Sequence, residues 1–164
     1  MYITFEEYIA IYDPIDEAIF NRLAFDACRV LDIHTTGIDN VKKLRRFFPT
    51  DDYDVKAVKH CAAKIINLLY QIQQAENAAM EAIGYESTEQ GMRGKVISSV
   101  SAGNESISYS TGNASTTAVS EAVKDPSAKE KLMTKAVWDG LRGVDDANGI
   151  SLLYMGDYPR RYLC

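Results

Sequence analysis

What this sequence lacks narrows its function early. Three cysteines, Cys28, Cys61 and Cys164, are an odd set without metal-type spacing, which excludes both a disulfide framework and a zinc finger. Cys28 and Cys61 sit in apolar helical settings and read as small core residues. The two histidines, His34 and His60, belong to different predicted helices. Cys28 and His34 are six apart and His60 and Cys61 are adjacent, so neither pair shares a helix face. No metal site and no cofactor is expected.

Long apolar runs are missing too. The longest, such as Ile65-Ile66 and Leu68-Leu69-Tyr70, are far short of a membrane span. The opening stretch MYITFEEYIAIYDPIDE has neither the basic start nor the apolar segment of a leader, so a cytosolic origin is expected. The triplets Asn104-Glu105-Ser106 and Asn113-Ala114-Ser115 then carry no glycosylation meaning. Basic charge is scarce: the net charge is −5 and the pI about 5.0. That excludes a dedicated nucleic-acid binder, which needs clustered cations. The small groups Lys42-Lys43 with Arg45-Arg46, and Arg160-Arg161, are either solvated faces or contacts to an acidic partner.

Catalytic signatures are absent as well. Gly91-Met92-Arg93-Gly94-Lys95 has the wrong glycine spacing for a phosphate loop, and Val96 stands where Ser or Thr should bind magnesium. No Gly-x-Ser-x-Gly elbow occurs. Asp51-Asp52 and Asp145-Asp146 read as cap and turn residues.

What is present is helical. With 46% hydrophobic and 25% charged residues over 164 positions, the chain can bury a core as one domain. Its helical parts span about 4–83 and 118–141. Thr4-Phe5-Glu6-Glu7 is a capping-box pattern that starts a short helix, with Phe5, Tyr8 and Ile9 on one face. Asp13-Pro14 opens the second helix, to about Ile33, on the stripe Ile19, Leu23, Ala27, Val30 and Leu31. A third is expected from Asp39 to Phe47. The longest runs from about Asp52 to Ile83 on Val55, Val58, Ala62, Ile65, Ile66, Leu69 and Ile72. Helix returns at Ala118 to Val123 and, after Asp125-Pro126, to about Leu141, with Leu132, Ala136 and Val137 facing the core and Trp138 beside them.

Gly94 to Gly112 is the one stretch whose period is two. It predicts a β-hairpin about Gly103-Asn104, or a wider loop between two short strands. Two serine-rich strands bury too little to stand alone. They are either a decorated loop or an assembly element using Ile97, Val100, Ile107 and Tyr109. Gly149 to Met155 reads as a short strand, with Leu152 and Tyr154 as contact residues. The tail 156–164, with Tyr158, Arg160, Arg161 and Tyr162, has no periodicity. It is expected to be either a frayed end or a docking segment ordered only on a partner. The fold class is therefore mainly α, a helical bundle with a β-hairpin or extended insertion and a short C-terminal strand.

The order of parts is more specific than any of them. Ala27-Cys28-Arg29-Val30-Leu31-Asp32 leads into Thr35-Thr36, a long helix follows, and then comes Ile97-Ser98-Ser99-Val100-Ser101-Ala102-Gly103-Asn104-Glu105-Ser106-Ile107-Ser108-Tyr109. This resembles the gp6-like head-tail connector (adaptor) proteins of long-tailed bacteriophages and prophages, over most of Thr4 to Tyr109 and more weakly over Gly149 to Tyr154. Val100 replaces an acidic residue of that pattern and Asn104 an aspartate, and the insertion before the last strand is longer. The resemblance implies a structural virion protein and no enzyme. Copies would form a ring, usually of twelve, in the neck of the virion after assembly in the bacterial cytoplasm. The partners would be the portal protein and a tail-side stopper or tail terminator, with DNA passing through the lumen. An acidic chain suits that passage, because it does not grip DNA. The alternative is a small acidic cytosolic enzyme or regulator, with Asp32, His34 and Asp51-Asp52 as its candidate groups.

Overall fold

The computed structural model describes residues 1–82, 84–88, 91–95, 100–102, 105–107 and 118–162, with no side-chain detail from 78 to 107. Its elements are α1 (Phe5–Ile9), α2 (Glu17–Thr35), α3 (Lys43–Arg46), α4 (Asp52–Ala82), β1 (Gly84–Thr88), β2 (Gly91–Lys95), β3 (Val100–Ala102), β4 (Glu105–Ile107), α5 (Ala118–Lys124) and α6 (Pro126–Leu141). The chain is mainly helical, as expected. It groups into two compact units, Met1–Tyr70 with Glu130–Cys164, and Gln71–Lys129.

Local chemistry sets most helix ends. Thr4 and Glu7 form the complete capping box of α1. Asp51 accepts from the amides of Tyr53 and Asp54 and opens α4. Asp125 accepts from Ser127 at the start of α6. The start of α2 differs from expectation. Asp16, not Asp13, is the N-cap, accepting from Ala18 and Ile19 at 2.9 and 3.2 Å. The helix expected over Asp39 to Phe47 shrinks to the four residues of α3. Asp39 is drawn into a turn, where its carboxylate takes the Val41 amide at 3.1 Å and Asn40 adopts a φ of 60°.

In the first unit α2 buries Phe20, Leu23, Ala24, Ala27 and Leu31. That three-and-four spacing matches the expected stripe, with Ile19 and Val30 left half-buried at its edges. α4 buries Val58, Cys61, Ala62, Ala63, Ile65 and Ile66, a face wider than one stripe. α6 contributes Met133, Ala136, Val137 and Leu141. Leu132 is only half-buried and Trp138 and Ile9 are exposed, so these three lie off the faces expected for them. α4 and α6 approach closely at Gly140, where a Cβ would come within 2.9 Å of the Cys61 Cβ. The Cys61 thiol donates to the Ala136 carbonyl at 3.7 Å. Burial pushes that thiol up to about 12, so Cys61 stays a neutral core residue.

Tyr8 is fully buried against Phe20 and Tyr12. Its hydroxyl has no hydrogen-bond partner among the described residues. A buried hydroxyl without a partner costs about 1–3 kcal/mol, whereas the ring around it is well packed. Tyr8→Phe is therefore expected to leave the unfolding midpoint unchanged or raise it, as read by thermal denaturation. A clear fall would mean that the hydroxyl has found a partner in solution.

In the second unit β1 pairs with β2 and β3 with β4, each antiparallel. The hairpin expected over 94–112 lies largely outside the described residues. Within it the backbone pairs Val100 with Ile107, Ser101 with Ser106 and Ala102 with Glu105. Ile72 and Ala122 are buried in this unit.

The expected C-terminal strand over Gly149 to Met155 is corrected to a single bridge, Asp145 with Ser151, followed by turns. The reason is the buried Asp146 carboxylate, which accepts from the amides of Asn148 and Ile150 at 2.8 and 3.0 Å. That curls the chain, and Gly149 supplies the positive φ of 71° the curl needs.

Candidate functional site

Two constellations in the first unit stand out from the packing. One is a cleft of about 680 Å³. The segment before α1 forms one wall, through Tyr2 and Ile3. The outer face of α2 forms another, through Phe25, Cys28, Arg29 and Asp32, and the α3 region adds Leu44, Arg45 and Phe48. Glu7 and Lys59 close the far end.

Two ion pairs brace this cleft. Asp32 is buried, yet receives Arg45 Nε at 2.7 Å and Arg45 Nη2 at 2.6 Å, together with the Tyr2 hydroxyl. Burial, then the bond to Asp32, raises the Tyr2 hydroxyl far above its ordinary range, so it remains a donor. Its ring lies 5.8 Å from that of Phe48 and nearly parallel to it. The same pair raises the Arg45 guanidinium, through the hydrogen bond to Asp32 first. At the other end Lys59 Nζ donates to Glu7 at 2.6 Å while the second Glu7 oxygen caps Thr4. Those bonds hold the Glu7 carboxyl below its usual range, Lys59 being the largest cause. Burial raises the Cys28 thiol and keeps it neutral. Both carboxylates are thus occupied as ion-pair acceptors.

The alternative catalytic set does not converge. Asp32 lines the cleft, but His34 and Asp51 do not, and one oxygen of Asp51 caps α4. Burial lowers His34, against a smaller pull from Glu130. Among the described residues no group of three or more His, Cys, Asp or Glu side chains is placed to hold a metal ion.

The second constellation corrects the expected tail. Residues 151–162 are tied to their own unit, not left for a partner to order. Lys43, read as part of a solvated basic group, is buried and donates from Nζ to the Ser151 carbonyl at 3.1 Å and to that of Tyr154. Its ammonium also lies 5.8 Å from the Tyr154 ring centre. Tyr158 is stacked on Phe47 at 4.7 Å and 6°. Its amide donates to Asp39 at 2.7 Å, its hydroxyl donates to Asp146, and Asn148 donates to that hydroxyl at 2.9 Å.

Of the expected interface residues, Leu152 and Tyr158 are therefore buried inside the chain. Tyr154, Arg160 and Arg161 remain exposed, and Tyr162 is half-buried in a 3-10 turn with the two arginines. Ile97 and Tyr109 lie outside the described residues. Val100 and Ile107 are register partners. Neither the cleft nor the tail anchor was legible beforehand, because each joins residues from separate segments. The local signal available was the cluster Lys42 to Arg46 beside two phenylalanines.

Burial, followed by its bond to Asp146, pushes the Tyr158 hydroxyl up to about 12 from an ordinary 10.0. A raised folded-state value means that this anchor contributes fully below about pH 10 and is lost as pH climbs through about 12. Alkaline titration should therefore release the tail between those limits. Tyr158→Phe should be less stable at neutral pH and lose less in that window. Identical alkaline profiles for the two proteins would contradict this.

Among the described residues no helix is long and apolar enough to cross a membrane. Fold and site define a mainly helical protein with an ion-paired cleft and an internally tied C-terminal segment. No family model, curated protein or solved structure matches the chain.

Proposed function

We propose that this chain is a structural head-tail connector, copies of which form a ring between the portal and the tail of a long-tailed bacteriophage. The observation that carries this reading is the apolar surface of the helical unit. Tyr53 is 77% exposed, Ile38 75%, Ile33 65% and Phe25 63%, with Trp138 also at the surface. Large apolar side chains left in water suit a subunit that buries them on assembly. The resemblance across Thr4 to Tyr109 supports the same reading. In it the hairpin over 94–112 is the arm that reaches a neighbour, through Ile97, Val100, Ile107 and Tyr109. Tyr154, Arg160, Arg161 and Tyr162 form the face toward portal or tail-side protein. DNA crosses the lumen without specific binding, in keeping with the net charge of −5.

The test is capture on a portal ring followed by imaging of the complex. A closed ring of this chain on the portal is the expected result, and no binding would remove the reading. Replacing Ile107 and Tyr109 together by serine should leave helical circular dichroism intact and reduce incorporation into virions. Normal incorporation would take the hairpin out of the interface.

A further inference from the structure

The most exposed aromatic side chain of the first unit is Tyr53, at the start of α4, between Asp51, Asp52 and Asp54. The cleft is its complement. Its floor is apolar, with Ile3 and Leu44 buried and Phe48 half-buried beside them. Its rim carries Arg29, Arg45 and Lys59 against only Glu7 and Asp32, a local excess of positive charge on a chain whose net charge is −5. Arg45 and Lys59 are engaged with Asp32 and Glu7, while Arg29 has no ion pair or hydrogen bond among the described residues. The volume of about 680 Å³ lies within the roughly 300–1,000 Å³ typical of preformed binding pockets.

We propose that the cleft receives the Asp51 to Asp54 corner of a second copy of this chain, with the Tyr53 ring entering between Phe25 and Phe48 and Arg29 meeting Asp51 and Asp52. The occupant comes from another molecule, because the chain's own Tyr53 points into solvent and is not among the residues lining the cleft. An aromatic anchor in an apolar recess with charged groups around it is the arrangement that concentrates binding energy at protein interfaces. The acidic-to-basic pairing at the rim fixes the partner and speeds encounter. The two surfaces are different, so the contact is heterologous and one copy can be followed by another. This deepens the connector reading and rests on it for the closure of the series into a ring.

Sedimentation of the full chain tests it. The wild type should self-associate with rising concentration, more weakly at 500 mM than at 50 mM salt, because rim charges are screened. Arg29→Glu and Tyr53→Ser should each weaken that association by at least about tenfold with unchanged circular dichroism. A mixture of Arg29→Glu with Asp52→Lys should pair again, since each retains the surface the other has lost. Wild-type protein that stays monomeric, variants that associate like the wild type, or a mixture that does not pair would each overturn the contact. Capture on the portal reports on the connector reading separately, so the two can fail independently.

Discussion

Replacing Lys43 by methionine should lower stability by about 1–3 kcal/mol and free the segment that follows residue 150. The stem of the new side chain fills the same space, so packing is largely kept. What is lost is the ammonium that bridges the Ser151 and Tyr154 carbonyls. The Tyr154 carbonyl left without that donor costs about 1–3 kcal/mol, whereas the Ser151 carbonyl keeps the Tyr154 amide at 3.0 Å. Asp146 and Asp39 lose the nearby positive charge that also acts on Lys43. Burial already holds the Lys43 ammonium below its ordinary value, so part of the loss is offset by relief of its desolvation. Limited proteolysis with mass mapping reads the outcome. Cleavage should move into 151–162 well before the helices are cut. Equal protection in both proteins would mean that Phe47 and Asp39 hold the tail unaided.

The second large effect concerns the centre of α4. Ile66→Ala should cost about 2–5 kcal/mol, because the side chain is fully buried and the cavity is walled by helices that relax only in part. Leu69→Ala, one turn on, should cost distinctly less, since Leu69 is half-buried. Chemical denaturation of the two variants beside the wild type measures the difference. Equal losses would place Leu69 in the core and change the helix register.

The legible parts of this fold were the ones written in adjacent residues. The capping box at Thr4 and Glu7, the caps at Asp51 and Asp125 and the apolar spacing of α2 and α4 all depend on neighbours three or four positions away. Where two nearby aspartates competed, as Asp13 and Asp16 do, the choice turned on backbone geometry that spacing alone does not encode. The site was harder to read because its partners are remote in sequence. Lys43 looks like one member of a basic cluster until its carbonyl acceptors, 108 and 111 residues away, are placed beside it. Tyr158 has no periodic context at all, yet its anchors are Phe47, Asp39 and Asp146. Asp32, Arg45 and Tyr2 likewise come from three segments.

The tie between the α3 region and the tail also sets an order of events during synthesis. The Asp39 carboxylate and the Tyr158 amide are 119 residues apart, so this closure waits until nearly the whole described chain has left the ribosome. Until then the helices, α6 against α4 at Gly140 and Cys61 included, can already pack, while the Lys43 ammonium lacks its Ser151 and Tyr154 acceptors. Bringing so distant a pair together carries a chain-entropy cost that local turns do not meet, and contacts of that separation form late and slowly. A nascent chain stalled before residue 150 should accordingly hold its helices while exposing the Phe47 ring that Tyr158 later covers.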